Sequence, residues 1–106
     1  MSVSTHVLDA VRGLPAAGLP VRLERREGGA WHRVAERSTD ADGRIPELAA
    51  DAPAGIYRLT LFTEAHLGPD AFYPEVTVTF RIADAAAHHH VPVLLGPYSY
   101  TTYRGS

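Results

Sequence analysis

The sequence contains no cysteine and no lysine, and it has no long hydrophobic run. Without cysteine the chain can form neither a disulfide bond nor a thiolate metal site, and it has no cysteine nucleophile. No apolar stretch approaches the roughly 20 residues that span a bilayer. The first residues also lack the basic and apolar regions of a signal peptide. We therefore expect a cytoplasmic protein with no membrane partner.

The charges of the chain are nearly balanced. Ten basic residues stand against twelve acidic ones, which gives a formal net charge of −2. Such a balance does not indicate a nucleic-acid partner, because nucleic-acid-binding domains usually carry a basic patch. The chain has 106 residues, of which 45% are hydrophobic. This length and composition suit one core, so we expect a single domain over residues 1–106.

Alternating apolar and polar residues recur along the chain, separated by glycine, proline and aspartate, and they predict short strands. The predicted strands cover residues 5–10, 21–26, 31–38, 55–63 and 76–82, and a hairpin through Gly96-Pro97 joins the last two strands. Residues 64–67 are the one candidate for a helical turn. The pattern predicts an all-β fold, an antiparallel sandwich or barrel of about eight strands with at most one short helix.

Three consecutive histidines, His88, His89 and His90, precede the predicted hairpin. In a strand, His88 and His90 share one face while His89 points to the other. Two imidazoles on one face could ligate a metal together with a third ligand. They could also be a general base and its positioning partner, or an exposed polar strand end. The local pattern leaves these three alternatives open.

The other histidines are isolated in the sequence. His6 interrupts the first predicted strand, a position where most histidines are structural. His32 and His66 occupy predicted strand or loop positions, and the sequence offers neither of them a partner. We expect both to be ordinary surface residues.

Four segments together form a pattern that covers most of the chain. They are Thr5-His6-Val7-Leu8-Asp9, Asp42-Gly43-Arg44, Phe72-Tyr73-Pro74-Glu75-Val76, and a last block from His88-His89-His90-Val91-Pro92 to Tyr103-Arg104-Gly105-Ser106. This pattern resembles the 5-hydroxyisourate hydrolases, the transthyretin-related enzymes of purine catabolism. Two positions depart from the family: His89 stands where Tyr is usual, and Gly96 where Ser is common. Since His89 should face away from its two neighbours, we expect the site to be intact.

The resemblance implies a transthyretin/prealbumin-like β-sandwich that assembles as a homotetramer, with sites where subunits meet. The implied reaction is hydrolysis of 5-hydroxyisourate to 2-oxo-4-hydroxy-4-carboxy-5-ureidoimidazoline in urate degradation, without a metal or another cofactor. The matching catalytic residues are His6, Arg44, His90 and Ser106, the substrate-binding residues are His6, Arg44 and Tyr103, and His88 and Arg104 are in supporting positions.

Within this interpretation, His90 is the general base that activates water. Arg44 holds the anionic substrate and stabilises charge at the attacked carbonyl. His6 positions the substrate or passes a proton to the leaving nitrogen, and Tyr103 and Ser106 line the pocket.

Three other interpretations stay open. A transthyretin-like carrier would have the same fold and bind a small ligand without chemistry. A monomeric adhesin-type or regulatory sandwich module would share the strand and turn pattern of the first half. A metal site would use His88 and His90.

Overall fold

Nine strands and one short helix make up the computed structural model of the protein, which describes residues 2–106. The elements are β1 Val3–Asp9, β2 Leu14–Pro15, β3 Pro20–Glu27, β4 Ala30–Ser38, β5 Arg44–Ala49, β6 Gly55–Leu61, α1 Glu64–Leu67, β7 Val76–Ile82, β8 His89–Leu95 and β9 Tyr100–Thr102. Among residues 2–106, no helix is long and apolar enough to cross a membrane.

The strands form two sheets. In the first sheet the order is β2-β1-β8-β9, and β5 also pairs with β1. In the second sheet the order is β4-β3-β6-β7. Strands β1 and β8 run parallel, with seven residues of each in register. Strand β8 lies along one edge of β1, and β2 and β5 both lie along the other edge. Strand β1 is therefore paired on both edges.

Apolar side chains from both sheets form one core between them. Tyr57 on β6 is the largest fully buried side chain, and its hydroxyl donates a 2.6 Å hydrogen bond to the carbonyl of Pro53. This bond satisfies the polar end of a ring whose body lies in the core.

The predicted all-β sandwich with one short helix is confirmed, and the helix covers the expected residues. Strand β5 was not expected. Its residues Arg44–Ala49 include Pro46 and Glu47, which weaken the strand signal in the sequence. Proline is tolerated there because β5 pairs on one side only, with β1.

Candidate functional site

The candidate site lies on the face of β1 that points away from the core. His6 on β1 is opposite Arg44 on β5, and Ser4 is opposite His90 on β8. Residues directly opposite each other on paired strands point to the same face, and residues two apart on one strand share a face. The pairing of β1 with both neighbours therefore gathers these four side chains on one surface.

A tight turn holds Arg44 at the start of β5. The carboxylate of Asp40 accepts 2.9 Å hydrogen bonds from the backbone N–H groups of Asp42 and Arg44. Gly43 lies between them with φ of +74°, and a methyl group there would come within 3.0 Å of Pro15 Cβ. Because an L residue is strained at this φ and also lacks space, glycine is needed for the turn that places Arg44.

The same turn orients His6. Its Nε2 lies 2.9 Å from the backbone carbonyl oxygen of Asp42. A carbonyl oxygen only accepts hydrogen bonds, so Nε2 carries the proton in the neutral imidazole and Nδ1 does not.

The guanidinium of Arg44 is exposed and keeps its charge available. Of the ion pairs found among residues 2–106, none involves Arg44. A guanidinium presents a planar fork of donors that suits anions and polar planar ligands. An anion that enters this site therefore meets a cation that no protein carboxylate neutralises.

Ser4 joins the two histidines that share this face. Its Oγ lies 2.7 Å from Nδ1 of His90 and 2.9 Å from Nε2 of His88. The two imidazole rings are nearly parallel, with centroids 6.4 Å apart and an interplanar angle of 15°. Nδ1 of His88 in turn contacts the hydroxyl of Ser2. The expectation that His88 and His90 share a face is confirmed.

The last residues return to β8 and close one side of the site. The backbone N–H of Gly105 donates a 2.8 Å hydrogen bond to the carbonyl of His90. An open cavity of about 290 Å³ results, lined by Ser4, Thr5, Arg44, Pro46, His88, His90 and Ser106. This size suits a small molecule.

The environment of His90 favours its neutral form. Burial lowers the pKa of His90 below its usual 6.5, and the Arg44 cation and the nearby His88 and His6 rings lower the pKa further. A neutral imidazole at neutral pH can accept a proton. Since Nδ1 is engaged with Ser4, Nε2 is the nitrogen that remains to do so.

Tyr103 and Arg104 lie on the other side of His90. They line a neighbouring cavity of about 150 Å³ together with His89, His90 and residues of β7. His89 is 5% exposed, and its Nδ1 lies 3.2 Å from the carbonyl of Ala87. The expectation that His89 points away from His88 and His90 is therefore confirmed.

The expectation for His66 was wrong. Its Nε2 lies 2.8 Å from Oδ2 of Asp9, and its side chain is 17% exposed. Hydrogen bonds from the Arg12 backbone N–H and from His66 lower the pKa of the Asp9 carboxyl. The two partners are 57 positions apart, so no local pattern could have revealed the pair.

Ser4 is the functional-site residue that sequence reasoning missed. It is 86 positions from His90, and a serine two residues before His6 carries no signal of its own. As for metals, the described chain from Ser2 onward contains no group of three or more His, Cys, Asp or Glu side chains arranged to hold an ion.

The HIUase/Transthyretin family matches residues 3–105 of the sequence. The chain belongs to this family. Among its HIUase/Transthyretin relatives is the 5-hydroxyisourate hydrolase of Mus musculus, which is 44% identical over 111 residues, covering 98% of this chain and 94% of the mouse protein.

Similar solved structures include a 5-hydroxyisourate hydrolase and a transthyretin in complex with thyroxine. The 5-hydroxyisourate hydrolase of Klebsiella pneumoniae is 39% identical, with a TM-score of 0.86 and 100% coverage of both chains. Sea bream transthyretin in complex with thyroxine is 31% identical, with a TM-score of 0.92, and the alignment covers 99% of this chain and 95% of the transthyretin chain. Because the same fold occurs in a hydrolase and in a thyroxine-binding protein, the function of a family member depends on the side chains at its site.

Proposed function

We propose that this protein hydrolyses 5-hydroxyisourate by attack of water on a ring amide. The observation that carries the proposal is the convergence of His90, Arg44 and His6 on one face of β1, beside an open cavity. These three side chains can act as base, anion-binding group and substrate-positioning group. The mouse and Klebsiella relatives that match nearly the whole chain bear the name of this activity.

His90 is the general base. Its Nδ1 is bound by Ser4, which leaves Nε2 to take a proton from water. Its lowered pKa keeps the imidazole neutral, the form that this step requires. A positioned base typically contributes about 10²–10⁴-fold to the rate.

Arg44 binds the planar, anionic substrate and stabilises the oxyanion that forms at the attacked carbonyl. It has no ion-pair partner among residues 2–106, so its donors are available to the ligand. Removal of one oxyanion donor typically costs about 10²–10³ in kcat.

The proton balance assigns the protonation of the leaving nitrogen to His90, and the hydrogen bond at Nε2 assigns a positioning task to His6. Water gives its oxygen to the carbonyl carbon and one proton to His90, and the carbon–nitrogen bond of the ring then breaks. The leaving nitrogen takes the proton held by His90, and the new carboxylic acid releases the second proton of water to solvent to become the carboxylate of 2-oxo-4-hydroxy-4-carboxy-5-ureidoimidazoline. His6 donates its Nε2 proton to the Asp42 carbonyl, so its unprotonated Nδ1 positions the substrate by accepting a hydrogen bond, and His90 supplies the proton to the nitrogen.

The remaining residues shape the pocket. Ser106 lines it beside His88 and His90. Tyr103 and Arg104 line the neighbouring cavity and support the chain segment that ends at Ser106. No step of this reaction needs a metal or another cofactor, and the cytoplasmic location stays a prediction of the sequence.

The protein assembles as a homotetramer, with its sites near the contacts between subunits. An exposed aromatic cluster supports assembly: Phe72 is 62% exposed and Tyr98 is 77% exposed, with ring centroids 6.0 Å apart. Exposed aromatic groups of this kind are common in protein interfaces. Strands β7 and β9 are at sheet edges, where pairing with another subunit would cover unpaired backbone groups.

A coupled assay tests the proposal. Urate oxidase generates 5-hydroxyisourate in the cuvette, and the decay of its absorbance is followed with and without the protein. We expect faster decay with wild type and strongly reduced kcat/KM for His90→Asn and Arg44→Ala. His32→Asn, which changes an exposed histidine on β4, is the matched control. Decay at the uncatalysed rate with folded wild type would overturn the proposal.

A small-ligand carrier is the alternative, because the thyroxine-bound transthyretin superposes with a TM-score of 0.92. A carrier would bind a small ligand and leave the decay of 5-hydroxyisourate unchanged. Thyroxine binding measured by calorimetry on the same preparation separates the two functions.

A further inference from the structure

Hydroxyl groups and imidazoles alternate along a continuous path that ends at His90. The hydroxyl of Ser2 contacts Nδ1 of His88, Nε2 of His88 lies 2.9 Å from Ser4 Oγ, and Ser4 Oγ lies 2.7 Å from Nδ1 of His90. His88 is exposed, whereas Ser4 is buried and His90 is half-buried. The path therefore leads from the proposed base to the protein surface.

The single proton of the Ser4 hydroxyl constrains both histidines. A hydroxyl donates one hydrogen bond and accepts up to two, so Ser4 can donate to only one of the two imidazoles, and the other imidazole must donate to Ser4. If Nε2 of His90 is free to act as a base, Nδ1 of His90 carries the proton and donates to Ser4. The Ser4 proton is then available for Nε2 of His88, and donation to this nitrogen places the proton of His88 on Nδ1.

We propose that Ser4 relays a proton from His90 to His88, so that His88 carries the positive charge generated when water is activated. This inference rests on the proposed hydrolysis and assigns Ser4 and His88 as positioning and relay residues behind the base.

Every proton is accounted for in the relay. Water gives a proton to Nε2 of His90, the Nδ1 proton of His90 moves to Ser4 Oγ, and the original Ser4 proton moves to Nε2 of His88. His90 is then neutral again, with its proton on Nε2, and His88 is an imidazolium. The reverse transfers return the proton to Nε2 of His90 for donation to the leaving nitrogen, or His88 releases it to water.

The surrounding charges favour this transfer. Burial disfavours a positive charge on His90 most, followed by Arg44 from β5, by His88 and by His6 from β1. His88 is exposed to water, which solvates a charge better than a half-buried position does. The relay moves the positive charge from the His90 ring, near Arg44, to the His88 ring, which is closer to solvent. The centroids of the two rings are 6.4 Å apart.

Histidine tautomers in the resting protein provide a first test. Long-range ¹H–¹⁵N correlation spectra of the full chain at a pH where both rings are neutral should show the Nδ1–H tautomer for His88 and His90. Ser4→Ala should abolish this preference, while His32→Asn should leave it unchanged. An Nε2–H tautomer for His90 in the wild type would overturn the relay. This measurement uses no substrate, so it decides the relay independently of the proposed hydrolysis.

Kinetics provide the second test. His88→Asn keeps an oxygen that can accept from Ser4 but removes the titratable ring, so we expect kcat to fall about tenfold, less than the roughly 10²–10⁴ of the base itself, with KM nearly constant. Ser4→Ala should do the same, and Ser4→Thr, which keeps the hydroxyl, should restore most of kcat. If His88→Asn retains kcat within about twofold, Ser4 only orients His90 and the relay is wrong. A wild type without hydrolysis would instead refute the proposed function.

Discussion

Gly105 lies so close to the imidazole of His90 that a methyl group on the glycine would come within 2.5 Å of Cδ2. The two residues are also joined by the backbone hydrogen bond from Gly105 N–H to the His90 carbonyl. Ser4 holds the same imidazole at Nδ1. The final segment of the chain therefore fixes the ring that we propose as the base, and the ring has little freedom to rotate.

Gly105→Ala tests this packing. The added methyl group has no space beside His90, so either the ring or the final segment must move, and we expect kcat/KM to fall at least about tenfold because small misplacements of catalytic groups are costly. Gly96→Ala is the matched control, since its methyl group would meet the flexible Ser99 side chain at 3.2 Å. Wild-type kinetics for folded Gly105→Ala would show that the contact does not matter.

Removal of residues 103–106 tests the whole segment. Three of its four residues are exposed, and none belongs to the buried core. We therefore expect the truncated protein to keep its circular dichroism spectrum and a cooperative thermal transition, while hydrolysis in the coupled assay falls to background. A truncated protein that is folded and active would remove these residues from the proposed site.

The pH dependence of kcat/KM should report the ionisation of His90. Its pKa is lowered by burial first and by the Arg44 cation second. Since the base must be neutral, activity should persist below the usual histidine pKa of 6.5 and decline only at lower pH. Arg44→Gln removes one cause of the lowered pKa, so the acid limb of its residual activity should move to higher pH. An acid limb that stays in place in this variant would contradict the assignment.

His89 should make the fold sensitive to acid. Burial, followed by the Arg104 cation, lowers the pKa of His89 in the folded protein, so between the lowered folded pKa and the usual value of 6.5 the unfolded chain binds more protons. Proton binding by His89 therefore leaves the free energy of unfolding unaffected above the unfolded pKa. As the pH falls from there towards the folded pKa, the free energy of unfolding decreases.

Thermal unfolding at several pH values from about 8 to about 5 checks this sign. The wild-type Tm should fall towards acid, and His89→Tyr, which introduces the residue usual in the family, should reduce the fall. Some decline should remain, because His90 has a lowered pKa as well. His32→Asn is the control, and an equal acid decline in wild type and His89→Tyr would count against the interpretation.

Assembly should depend on the aromatic cluster at Phe72 and Tyr98. A charge placed there would have to be desolvated in an interface, so Phe72→Glu should shift the mass measured by light scattering from that of the proposed tetramer to that of smaller species. Val11→Glu changes a side chain that is 70% exposed and outside the cluster, and it should leave the mass unchanged. A wild-type protein that is monomeric at micromolar concentration would refute the tetramer.

The strand periodicity in the sequence was sufficient to predict the fold class and the direction of the histidine side chains. A period of two places His88 and His90 on one face and His89 on the other whatever the strand pairs with. The Asp40-to-Gly43 turn was also predictable, because aspartate and glycine favour it through their own backbone interactions. Strand β5 was missed because Pro46 and Glu47 obscure its pattern, and only its pairing with β1 makes it a strand.

The sequence by itself determined the strands that alternate clearly and which side of such a strand each residue faces, because both properties arise from neighbouring residues. Only the tertiary structure decided that Ser4 lies beside His88 and His90, that His6 lies opposite Arg44, and that Asp9 binds His66. These contacts depend on which strands become neighbours and in what register. Neither is encoded locally, because a strand can satisfy the same alternation beside several different partners.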